Sequence, residues 1–88
     1  MSHPRVIAVF KTTHATLSAE KALKEEGLDI RTMVKPAGIG QGCQMALTMP
    51  EPSVTLAESI LREKRRNVPA FYTKGEDGAW NLLKPAEE

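Results

Sequence analysis

Apolar and polar positions along this chain switch twice between a strand-like and a helix-like period. Val6 to Phe10 is an unbroken apolar, β-branched run, which predicts a central strand. Thr12 and Thr13 offer an N-cap, and the good helix formers from Ala15 to Glu26 predict a first helix. Ala15, Ala19, Ala22 and Leu23 form its narrow apolar stripe, with Glu20, Lys21, Lys24 and Glu25 outside and Gly27 as the stop. Ile30 to Val34 predicts a second strand, and Lys35 to Gly42 a loop. Cys43, Met45, Leu47 and Met49 then share one face of a third strand, with Gln44, Ala46 and Thr48 on the other. Pro50 and Pro52 close it, and Pro52 or Ser53 opens a second helix. Val54, Ala57, Ile60 and Leu61 make its stripe, and Arg62, Lys64, Arg65 and Arg66 crowd its last turn. Val68 to Tyr72 predicts a fourth strand, at an edge or bulged because Pro69 lacks a donor. Gly75-Glu76-Asp77-Gly78 is turn chemistry, so Ala79 to Leu83 is expected to return as a hairpin. Trp80 is expected to pack against the sheet or a neighbouring subunit.

The order β-α-β-β-α-β with a C-terminal fifth strand predicts an α+β fold, a ferredoxin-like two-layer sandwich with two helices on one face of an antiparallel sheet. Residues 1–88 form one domain, with a core over 5–72, a hairpin extension over 73–84 and a frayed tail over 85–88. The start around His3 and Pro4 is expected to be mobile. Right-handed crossovers bring three junctions to one end of the sheet: Lys11 to His14, Lys35 to Cys43 and Arg65 to Val68.

Composition narrows the functions. A net charge of +1 gives no global attraction to nucleic acid or to an anionic membrane. The apolar run near the start is shorter than the ~7–15 residue core of a signal peptide. One cysteine fits a reducing compartment, so a cytoplasmic location is expected. There is no C-x-x-C for a metal, no G-x-x-x-x-G-K-[ST] for a nucleotide, and no aromatic set on the central strands for RNA. No cofactor is expected.

The remaining chemistry gathers around Cys43. It follows Pro36-Ala37-Gly38-Ile39-Gly40-Gln41-Gly42, a glycine-rich run that leaves bare backbone beside the thiol. The predicted topology brings it to the end that holds Thr13 and His14 at the first helix start, Lys35, and the Arg65-Arg66 pair. Cations and an amide-rich helix start lower a thiol pKa, and Gly38, Gly40 and Gly42 can turn N–H groups inward as an anion nest. Plainer readings stand beside these. Cys43 in phase with Met45 is equally a small buried hydrophobe. His14 reads more simply as a polar first-turn residue and the arginines as dipole partners, while Lys35 also reads as a solvated side chain and the glycines as a tight loop.

The chain resembles the family of small selenium/sulfur carrier-like proteins. The resemblance runs from about Arg5 to Tyr72 and rests on three stretches. They are Phe10-Lys11-Thr12-Thr13-His14-Ala15, Ala19 through Gly27-Leu28, and Gly42-Cys43-Gln44-Met45-Ala46-Leu47. Gln44 stands where that family usually has glycine. The resemblance implies a carrier or accessory role centred on Cys43, with a sulfur or selenium donor enzyme and an acceptor protein as partners. The alternative from another class is a non-catalytic ligand-binding or oligomerisation module. A homo-oligomer is expected, and for the alternative module the motive is that the first strand is apolar on both faces, so that a partner or the Trp80 tail covers the sheet.

Overall fold

The computed structural model describes residues 5–87, so His3, Pro4 and Glu88 lie outside the described residues. Strands β1 (Arg5–Val9), β2 (Arg31–Val34), β3 (Met45–Pro50), β4 (Ala70–Lys74) and β5 (Trp80–Lys84) form one antiparallel sheet in the order β2-β3-β1-β4-β5. Helices α1 (Thr13–Glu25) and α2 (Val54–Glu63) complete an α+β fold, with a short 3-10 turn at Glu51–Ser53 leading into α2. Strand β3 lies between β1 and β2, and β1 lies between β3 and β4.

Both helices pack on one face of the sheet. Ala15, Ala19 and Leu23 from α1, and Val54, Ala57, Ile60 and Leu61 from α2, join Val6, Ala8, Leu47, Met49 and Phe71 in the main core. The three alanines buried on α1 let its backbone lie close to the sheet, while Leu23 is fully buried and contributes about 1.5–3 kcal/mol. Thr12 caps α1 by accepting from the Ala15 amide at 3.1 Å. At the other end Gly27 takes φ +84°, and the Leu28 amide reaches back to the Leu23 carbonyl.

The opposite face carries a second, smaller cluster. Ile7 and Val9 of β1 and Ala46 of β3 are buried there with Ile39 from the loop that precedes β3. Met33, Tyr72 and Trp80 pack against it. Thus β1 is buried on both sides by its own chain, which is why its sequence is continuously apolar.

Three boundaries differ from the sequence reading. Strand β3 begins at Met45, so Cys43 precedes the strand. Pro69 precedes β4, which lies inside the sheet between β1 and β5; the irregularity is a register shift at Phe71/Tyr72 on the β5 side. The segment from Pro85, expected to fray, carries further ties. The Glu87 amide donates to the Val68 carbonyl at 3.2 Å, and its carboxylate pairs with Arg62.

Candidate functional site

Cys43 lies where the β1–α1 junction meets the glycine loop. Its amide donates to the Phe10 carbonyl at 2.8 Å, which anchors the backbone just before β3 to the end of β1. Gly42 makes this approach feasible. It takes φ +89°, and a Cβ there would run into Val9 Cγ1 and lie 2.8 Å from the Phe10 oxygen. The chain therefore turns at Gly42 and presents the cysteine beside the first turn of α1, half-exposed.

Two polar groups converge on the sulfur, and between Thr13 and Cys43 either atom can be the donor. The Thr13 hydroxyl is 3.1 Å from Sγ, and the Met45 amide donates to it at 3.4 Å. The Thr13 hydroxyl first, then the Met45 amide, hold the thiol below the ordinary cysteine value against the opposing effect of desolvation. The Thr16 hydroxyl and the Gln44 amide act in the same direction.

The cations of the sequence reading take other partners or positions. Lys35 turns its ammonium to the carbonyls of Gln41 (2.8 Å) and Gly42 (3.3 Å), where it braces the loop. His14 lines a shallow cleft of about 140 Å³ with Ser18, Arg65, Arg66 and Asn67, and Cys43 is not among its walls. The groups that depress the thiol pKa are the Thr13 and Thr16 hydroxyls and the Met45 and Gln44 backbone amides. The predicted end is thus two adjacent sites: a thiol on one side of the β1–α1 junction and a basic cleft on the other.

The three loop glycines have different surroundings. Gly42 fits against Val9 and Phe10, a Cβ at Gly38 would lie 2.8 Å from Trp80 Cδ1, and a Cβ at Gly40 would meet nothing within 4 Å. Sequence reasoning did not find Thr16, the Met45 amide or Trp80 as parts of the site. Thr16 had a signal, since it lies three positions after Thr13 and so on the same side of α1. The other two depend on tertiary contacts.

Among the described residues no group of three His, Cys, Asp or Glu side chains gathers as a metal site, and no helix is long and apolar enough to cross a membrane.

Fold and site together define a small α+β protein that presents one hydrogen-bonded thiol at the end of its sheet. The family model described as "Putative Se/S carrier protein-like" matches residues 5–73, and the chain belongs to that family. No curated protein and no solved structure matches the chain.

Proposed function

We propose that this protein is a chalcogen carrier that takes up sulfur, or selenium in its place, as a persulfide-type adduct on Cys43. The observation that carries this reading is the convergence of the Thr13 hydroxyl and the Met45 amide on a half-exposed sulfur. Donors of this kind favour the thiolate, which is both the attacking and the leaving form in sulfur exchange.

In loading, the Cys43 thiolate attacks the terminal sulfur of a cysteine persulfide on a donor protein. A bond forms between Cys43 Sγ and that sulfur, and the donor's S–S bond breaks. The electron pair leaves with the donor cysteine as thiolate, so no outside oxidant or reductant is needed. In unloading, an acceptor thiolate attacks the same terminal sulfur and Cys43 leaves as thiolate. The scaffold in this reading is a ferredoxin-like β-α-β-β-α-β core widened by β5.

The test is to incubate the protein with a cysteine desulfurase and free cysteine, then weigh it intact. Wild type is expected to gain the mass of one sulfur atom, and Cys43→Ser to gain nothing. No adduct on wild type, or an equal one on the variant, overturns the reading.

A second reading, an oligomerisation module, draws on the edge at β2. Val34 there is 75% exposed, and Thr32, Met33, Val34, Gln44 and Met45 line an open groove of about 400 Å³. Pairing of β2 with a second copy would cover this edge. Sedimentation equilibrium checks it: a concentration-dependent dimer supports the reading and a strict monomer removes it.

A further inference from the structure

The C-terminal hairpin lies almost wholly outside the residues matched by the family, which end at position 73. Nothing in the carrier reading uses it. Yet its tryptophan lies on the loop that delivers the cysteine.

That loop is held at successive points. Ile39 is 4% exposed and sits in the second cluster with Ile7, Val9 and Ala46. Its amide closes a turn onto the Pro36 carbonyl at 3.1 Å. Gly38 lies directly against the indole of Trp80, where a Cβ would come to 2.8 Å of Cδ1. Lys35 holds the carbonyls of Gln41 and Gly42, and Cys43 is tied to Phe10. The Gly38 contact and the packing around Ile39 bring in the C-terminal strand, which is remote from the loop and from β1.

Trp80 is itself well held. It pairs with Lys74 across the β4–β5 ladder, and the Lys74 ammonium lies 5.8 Å from its ring centroid. The turn before it is closed by Gly75 donating to Ala79 at 2.8 Å, with Gly78 at φ +82°. Further along, Lys84 pairs with the buried Glu58 of α2 at 2.6 Å. The indole is thus carried by a strand fixed at both ends.

We infer that the hairpin is a clamp on the cysteine loop, with Trp80 as a positioning residue that keeps Cys43 beside Thr13. The inference rests on Cys43 being the reacting group, and it adds a control over that group. Displacing the hairpin releases Gly38 and Ile39. The loop then moves away from the sheet, and the sulfur loses its fixed distance to the Thr13 hydroxyl. A partner that engages the hairpin would in this way change the reactivity of the thiol without touching it.

Two independent variants test the clamp. Trp80→Ala removes the indole, and Gly38→Ala inserts a methyl group where the indole packs. In each, the pH midpoint of Cys43 alkylation by iodoacetamide is expected to rise. The Ile39 amide should exchange with solvent about tenfold faster or more, while amides of β1 and β3 keep their protection. Trp80→Phe should restore much of both effects. Leu83→Ala, an exposed position on the same strand, should leave both unchanged. Circular dichroism establishes that each variant is folded, and Gly38→Ala carries the test if Trp80→Ala does not fold.

An unchanged midpoint and an unchanged Ile39 exchange in folded Gly38→Ala or Trp80→Ala overturn the clamp. Equal changes in Leu83→Ala overturn it as well. None of these measurements requires sulfur transfer. If the midpoint shifts and wild type takes up no sulfur, the carrier reading falls and the clamp stands.

Discussion

The ionisation of Cys43 Sγ is governed by its neighbours' hydrogen bonds. A thiol whose folded pKa lies below its ordinary value ionises at lower pH in the native chain than in the denatured one. Its alkylation rate therefore rises through the folded pKa and levels off earlier than in urea. Thr13→Val should move that midpoint upward, because the hydroxyl is the largest of the depressing influences. Below the wild-type midpoint the variant then reacts more slowly. Thr13→Ser keeps a hydroxyl and should react nearly as wild type does. Iodoacetamide kinetics across pH check both. The meeting of Cys43 and Thr13 was legible in the sequence because topology alone brought their segments together. The roles of Lys35, Arg65 and Arg66 were not. A side chain long enough to reach the thiol is also long enough to reach a carbonyl or a neighbouring cleft, and only packing decides between them.

At the level of elements, the pattern of small and large apolar residues was enough to locate both helices and all five strands to within a few residues. The misreadings lie where backbone conformation overrides side-chain phase. Cys43 has the parity of Met45 and Leu47. However, Gly42 at φ +89° turns the chain before the strand begins, so parity with the core did not bury the thiol. Pro69 was read as part of a strand, but it ends the connection from α2 and leaves the ladder to start at Ala70. The end of α2 shows a further conflict between residue type and backbone. Arg65 takes φ 57° in the position past the helix where glycine is usual, while the Arg66 amide donates to the Leu61 carbonyl at 2.8 Å. An L side chain in that region is strained, so Arg65→Gly should stabilise the fold by about 1 kcal/mol. Urea denaturation of the variant beside wild type measures it.

At the scale of the whole molecule, the second face of the sheet explains how a chain of 88 residues can bury so much of β1. The helices cover one side, and the cysteine loop with Trp80 covers the other. The sequence signalled this face through the continuous apolar run of Val6 to Phe10. It could not say whether a partner or the chain itself supplied the cover, because Ile39 is a lone apolar residue in a glycine loop. The outer strand of this arrangement is tied to the helical layer through Glu58, which is 4% exposed and bonded to Lys84 at 2.6 Å, with Arg62 at 3.6 Å. Lys84→Ala leaves a buried carboxylate with one distant partner. It should reduce stability by about 1–3 kcal/mol, read as a lower urea midpoint with an unchanged slope. The sequence contains a single tryptophan, and it is the residue lying on Gly38. The molecule therefore carries its own optical gauge. Indole emission should shift to the red whenever the loop lifts and water reaches the ring, so displacement of the loop can be followed by fluorescence without any label.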